Sequence, residues 1–379
     1  MRPLLSCLVA IVACAPAAPV ADCLAAQARD SLVAVLTRAH ARNPVPGISG
    51  AIFAPSRWQE PVAAAVGLAD REAQRPMTTS DRMLAGSVGK TMWAALALRL
   101  AAQGALDLDA PIARSLNVPR ASTLTPRMLL LHTTGYPEYD APFMEALIRD
   151  PLRERVPEDW FGVLQRAKLS DTGKVRYSDL NYVVLAALLD QVIAGDAYQR
   201  IADTLFRASG LTSTTGARSS QITGLAIGYD SPQGIFGQAR LVQDGRLAYN
   251  PQFEWGGGGF VSTPSDLARW FAAWRLGVLF PDTLWPAVTA RPAGLPDSVT
   301  TWKGLGVDVA ASGDHRDIYH TGYIPGYLSF VRWFERERVA IAVQVNSSDA
   351  SQLPQDPMEW LDELAAAFRA SCAAPSRRG

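Results

Sequence analysis

Lysine and histidine are the residues this chain does without. Of its 36 basic side chains only Lys90, Lys168, Lys174 and Lys303 are lysines, and the 4 histidines are His40, His132, His315 and His320. With so few histidines, and no cysteine and histidine at zinc-site spacing, the sequence argues against a metal site and requires no cofactor. Excess charge of either sign is also missing. The 36 basic residues face 36 acidic ones with no long run of either, which excludes the electrostatic footprint of a nucleic-acid partner or of an anionic membrane surface. No internal repeat is present, and the glycine run at 256–259 lacks the lysine and the spacing of a phosphate-binding loop. What the chain does have is 379 residues, 48% of them hydrophobic, ample for one large domain or two closely packed ones.

The N-terminus reads MRPLLSCLVAIVACAPAAPVADC. One arginine, an apolar run over 4–13 and then small residues predict a secretory leader over 1–21 and an exported, periplasmic or secreted protein. The run is too short to stay as a membrane span. The stretch IVAC at 11–14 also resembles a lipoprotein box, which would leave Cys14 lipidated and the protein on a membrane; cleavage near Ala17 or Ala21 is the alternative. Residues 22–373 read as a single domain, with 374–379 a tail.

Apolar spacing predicts a helix over 24–42, strands over 47–54 and 61–68, and an apolar helix from Val88 to Gln103 closed by Gly104. Thr125 and Thr263, each followed by proline, read as helix N-caps, and 180–193 reads as another apolar helix ended by Gly195. Strand signals return after 300, the last two joined by a turn at Glu335-Arg336, and a final helix spans 357–372. The layout is α+β, with strands from both chain ends sharing one antiparallel sheet. One lobe comprises about 22–85 and 240–373; a mainly helical lobe, about 86–239, is inserted between them.

The stretch AGSVGKTMWAAL, 85–96, puts Lys90 at the front of a helix that is apolar on nearly every side. Such a helix is buried, and an ammonium buried without a partner is costly. Ser87 lies three residues before Lys90, so the two side chains share one face of a helical turn. A serine hydroxyl becomes a nucleophile when a base takes its proton, and a helix N-terminus favours the negative charge that develops. Two further stretches join this pair: RYSDLNY, with Tyr177 and Asp179 just ahead of the helix over 180–193, and YHTGYIPGY, with His320, Thr321 and Gly322 on a strand.

Serine-x-x-lysine, tyrosine-x-acid or amide, and basic residue-threonine-glycine, in this order, resemble the serine β-lactamase and penicillin-binding-protein superfamily. The tyrosine element and the HTG triplet resemble the branch of class C β-lactamases, DD-carboxypeptidases and related esterases, as do LTPRMLLLHTTGYPEY and GGFVSTPSDLARW. The resemblance implies a β-lactamase/transpeptidase-like fold and a hydrolase acting on a small-molecule or peptide-like substrate. It makes Ser87 the acylated nucleophile, Lys90 its proton partner, and Tyr177 a general base whose phenolate the ammonium favours. The backbone N–H groups of Ser87 and Tyr323 become the oxyanion hole, and Asp179, His320, Thr321, Gly322 and Trp255 line the substrate site. The first and last helices of that fold pack side by side, so Cys23 and Cys372 are expected to form a disulfide in an oxidising compartment.

Two positions depart from the pattern. Asp179 stands where many relatives have asparagine; an ionised aspartate only accepts hydrogen bonds and repels a substrate carbonyl. His320 stands where β-lactamases have lysine. Both departures favour an esterase or peptidase over a dedicated class C-type β-lactamase. His320 is expected to act as a neutral hydrogen-bonding group, because the lysine–tyrosine pair already carries the charge. Simpler readings stand beside these: Asp179 as a helix cap, Tyr177 and Trp255 as packed core aromatics, His132 as a structural residue held by backbone. An α/β-hydrolase elbow at AGSVG lacks a preceding buried strand, and a relative that only binds cell-wall fragments would have no use for Ser87, Lys90 and Tyr177 together.

Overall fold

The structure, a computed structural model, describes residues 25–372. The leader, Cys14 and Cys23 lie outside the described residues, and with them the expected Cys23–Cys372 disulfide.

Helix α1 (Ala25–Arg42) leads into strands β1 (Gly47–Phe53), β2 (Val62–Asp70) and β3 (Arg75–Pro76). The chain returns to the same sheet much later as β4 (Thr301–Lys303), β5 (Asp308–Ser312), β6 (His315–Ile324), β7 (Tyr327–Phe334) and β8 (Val339–Val345). The strand order is β3-β2-β1-β8-β7-β6-β5-β4, antiparallel throughout, so β1 from one chain end lies against β8 from the other, Ile48 opposite Val345. The sheet thus joins both ends of the sequence, as the strand signals predict.

The sequence of β8, VAIAVQV, shows why this strand sits at the centre. Every residue of it is buried. Val339, Ile341, Val343 and Val345 point to one face and pack with α1 and with α5 (Pro357–Cys372) through Leu32, Leu36, Trp360, Leu361, Leu364 and Phe368. Ala340 and Ala342 point to the other face, into the larger core. Period-2 alternation of large and small residues therefore builds two different faces on one strand. The alanine face lets helix α4 (Pro264–Arg275) lie directly over β8 and β1. Thr263 caps α4 by accepting from the Asp266 N–H, as the sequence predicts.

Between β3 and β4 the chain forms the helical part. Its centre is α2 (Lys90–Ala102) against α3 (Asp179–Ile193), both almost fully buried. Two details differ from the sequence expectations. The helix expected from Val88 starts as a 3-10 turn, Gly86–Gly89, and becomes α-helical only at Lys90. Helix α3 is closed by Ala194 in the left-handed region rather than by Gly195. Its N-cap is Ser178, whose hydroxyl accepts from the Leu180 N–H, so the reading of Asp179 as a cap is set aside.

Candidate active site

Three segments converge on Ser87, and glycines let them. The 3-10 turn that carries Ser87 lies between the end of β6 and the glycine turn 256–259. A Cβ on Gly322 would stand 2.0 Å from the Ala85 oxygen and 3.2 Å from the Ser87 nitrogen, so β6 approaches the turn as only a glycine permits. On the other side a Cβ on Gly89 would stand 1.7 Å from the Gly258 oxygen. Tyr319 is the last β6 residue paired to β5, which leaves the edge of residues 320–324 facing the serine turn. Along that edge His320 and Gly322 are buried, while Thr321 and Tyr323 face outward. The Tyr323 nitrogen would lie 2.8 Å from a Cβ on Gly86, which places it beside the Ser87 turn.

The serine oxygen has two partners. Tyr177 donates its hydroxyl to Ser87 Oγ at 2.7 Å, and Lys90 Nζ donates at 2.9 Å. Lys90 is fully buried. Its ammonium is paired with Asp179 Oδ1 at 2.6 Å, donates to the Gly257 oxygen and sits 5.0 Å from the Tyr177 ring centre. Burial by itself would push the Lys90 ammonium down, but Asp179, Tyr177 and Glu254 outweigh it and hold the group above its ordinary value. The lysine is therefore charged.

At Tyr177 the pull of the Lys90 ammonium is present, as the sequence expectation has it, but burial outweighs it. Removal from water pushes its hydroxyl up to about 12, against the pull of Lys90, and Asp179 raises it further. The residue is 37% exposed, yet its hydroxyl end is the part turned inward onto Ser87. The resting Tyr177 is a phenol because its burial outweighs the pull of Lys90, with the charge of Asp179 adding to the rise. His132 holds the ring in place. It is buried, stacks on Tyr177 at 4.5 Å between centres, and accepts from the Ser178 N–H at Nδ1, 3.3 Å away. Burial and the charge of Lys90 keep its imidazole well below the usual range, hence neutral.

His320 is also neutral. Burial pushes it down to about 4, with Lys303 and Lys90 adding to the shift and Asp308 opposing it. Its Nδ1 lies 2.7 Å from the Thr321 carbonyl oxygen; that oxygen only accepts, so the proton is on Nδ1 and Nε2 is an acceptor. Trp255 is placed differently from the expectation: its ring packs on Trp160 at 5.1 Å and is nearly buried, while its neighbour Gly257 meets Lys90.

Sequence reasoning missed several groups here. Glu254 is buried next to Asp179, and Glu138 accepts from the Asp179 N–H at 3.2 Å. Burial first, then the negative charge of Asp179, pushes both of these carboxyls up. Lys303 pairs with Asp308 at 2.6 Å and lies 5.0 Å from the Tyr177 ring centre. The scarcity of lysine was the signal that could have found it. Among the described residues no group of three or more histidine, cysteine, aspartate or glutamate side chains is arranged to hold a metal ion.

Comparison with known proteins agrees with this geometry. The family model described as Beta-lactamase matches residues 37–365. The chain belongs to the β-lactamase family. Among curated proteins, Esterase EstB of Burkholderia gladioli is 45% identical over 78 residues, covering 19% of this chain and 20% of the esterase. The chain thus matches about a fifth of the length of that curated relative. Among solved structures, the D-amino acid amidase of Ochrobactrum anthropi SV3 superposes with a TM-score of 0.77 at 21% identity, covering 91% of this chain and 99% of the amidase. A D-stereospecific amidohydrolase from Streptomyces sp. gives 0.71 at 21% identity, over 92% of this chain and all of that one. The penicillin binding protein of Bacillus halodurans gives 0.69 at 19% identity, over 89% and 98%. These likenesses establish the β-lactamase/transpeptidase-like α+β fold.

Proposed function

We propose that this β-lactamase-family protein is an exported serine hydrolase that acylates Ser87 with a small ester or amide and then releases the acyl group to water. The observation that carries the reading is the pair of contacts to Ser87 Oγ, from Tyr177 at 2.7 Å and from Lys90 at 2.9 Å. Attack by Ser87 on the substrate carbonyl requires its proton to enter the Tyr177–Lys90 pair, which must first hold one proton fewer than at rest. The same pair then passes that proton to the leaving alcohol or amine. The Ser87 and Tyr323 backbone N–H groups, on the two sides of the glycine contact, are suited to receive the oxyanion. Export rests on the leader sequence over 1–21.

The charge around Lys90 narrows the substrate. One ammonium faces the carboxyl groups of Asp179, Glu138 and Glu254, two of them pushed up by burial first and then by the charge of Asp179, so a second positive charge would be favoured there. A protonated amine on the acyl side of the substrate supplies that charge. We therefore place amides and esters of amino acids, or a D-Ala-D-Ala-like peptide with a free amine, ahead of β-lactams. The Ochrobactrum neighbour, a D-amino acid amidase, has a substrate of this class. Kinetics with D- and L-alanine and phenylalanine p-nitroanilides and esters, their N-acetyl forms, and nitrocefin test it. A higher kcat/KM for the free-amine members supports the reading; equal values for free and acetylated members leave a simple esterase, and fastest turnover of nitrocefin overturns it.

A further inference from the structure

A second hollow opens on the far side of Trp255. Its volume is about 490 Å³, within the range of small-molecule pockets, and none of Ser87, Lys90, Tyr177 or His320 lines it. Its lining is mixed: the rings of Trp160, Tyr198 and Trp255 stand beside the polar side chains of Arg155, Gln191 and Gln252. The Trp160 indole donates to the Phe253 oxygen at 3.1 Å and the Tyr198 hydroxyl to the Trp255 oxygen at 3.3 Å, so these two aromatics offer the pocket their rings rather than their polar ends. A flat apolar group fits against that part of the wall.

Arg155 sets the other requirement. It lines the pocket and is only 4% exposed, and neither its Nε nor one of its terminal nitrogens has a hydrogen-bond partner. One face of the guanidinium stacks on Phe143 at 5.3 Å. Its backbone is fixed by a reciprocal pair with the Gln252 amide, 2.9 Å each way, which anchors the point from which the side chain enters the pocket wall. The carboxylates nearby are spoken for. Asp159 takes both contacts from Arg153 at 3.0 Å, Asp196 is paired with Arg218, and Asp190 accepts from the Ala197 N–H at 2.7 Å. A buried guanidinium without a counter-ion is among the costlier arrangements in a protein, and native structures supply it with an anion.

We propose that this pocket binds a small carboxylate bearing an aromatic or flat apolar group, with Arg155 as the partner of the carboxylate and Trp160, Tyr198 and Trp255 as the walls for the ring. The inference stands apart from the chemistry at Ser87 and does not depend on the substrate assigned there. A calorimetric titration of the whole protein with phenylacetate tests it, with 2-phenylethanol as the uncharged control. Phenylacetate is expected to bind saturably in the millimolar range or tighter, the alcohol at least about tenfold more weakly. Ser87→Ala is expected to bind phenylacetate as the parent protein does, whereas Arg155→Met loses at least about tenfold in affinity. Equal binding of acid and alcohol, no saturable binding of phenylacetate, or unchanged affinity in Arg155→Met overturns the proposal. Should Arg155→Met fail to fold, the acid-against-alcohol comparison in the parent protein decides it.

Discussion

On the helical side of Ser87 one ammonium, Lys90, is surrounded by Asp179, Glu138 and Glu254; on the strand side His320 is neutral and the nearest cation, Lys303, is already paired with Asp308. The β-lactamase pattern commonly puts a lysine on the strand side as well. Here that charge is missing, and an aspartate has been added on the opposite side in place of an amide. The two changes act in the same direction. On the proposed reading, both shift the site's preference from anionic substrate groups toward a cation on the acyl side.

The largest expected effect comes from the helical side. Lys90→Met should lower turnover by at least about a thousandfold, because Ser87 then loses its proton partner. It should also cost about 3–5 kcal/mol of stability, since Asp179 is left without its counter-ion. Activity assays and urea unfolding on one preparation read both. A stable variant would mean that the carboxyls, not the lysine, carry the burden of that cluster.

Asp179→Asn sharpens the contrast. With the carboxylate gone, Tyr177 holds its proton less tightly, so kcat/KM for uncharged esters should rise severalfold at pH 8. For free-amine substrates KM should rise by roughly tenfold. The two substrate classes therefore move in opposite directions, and parallel changes would remove Asp179 from substrate recognition.

On the strand side the expected effect is on stability against pH. His320 is held at about 4 in the folded protein against 6.5 ordinarily. The unfolded chain thus takes up the proton first as pH falls. Stability is fully present above 6.5 and is lost toward 4, by about 2 kcal/mol between pH 7 and pH 5 for this one group. The gap between urea midpoints at the two pH values should narrow in His320→Gln; His132, also held below its ordinary range, keeps a slope of the same sign. In activity, His320 gives no limb near neutrality, and His320→Lys should be poorer at every pH because it buries a second ammonium near Lys90. A higher rate in that variant would restore the cationic role.

Lys303→Met should have the smallest effect, a few-fold change in KM at most, since a partly exposed pair contributes little. A larger loss confined to substrates with a carboxylate on the leaving side would make Lys303 the strand-side cation after all.

Much of this was legible in the sequence, for physical reasons. Helices and strands with clean periodicity, such as α5 and β8, came out at nearly their predicted bounds, and Thr263 capped as threonine before proline should. The three site stretches were recognisable because the chemistry fixes residue type and order. What was not legible depended on distances across the fold. Glu254 and Glu138 are ordinary acids in sequence; Glu254 joins the site where glycines 257 and 258 let the turn lie close to Asp179, and Glu138 by accepting from the Asp179 N–H. The net state of Tyr177 was not legible because the sequence does not show how deeply its hydroxyl is buried, and burial outweighs the pull of Lys90. Trp255 could have faced either way.

The central claim is that Ser87 is the group acylated. The most direct measurement is mass spectrometry of the intact and digested protein after a fluorophosphonate or a slow p-nitrophenyl ester. One adduct is expected, on the peptide carrying Ser87, abolished in Ser87→Ala together with turnover. An adduct on another residue, or near-normal turnover by Ser87→Ala, would contradict the account.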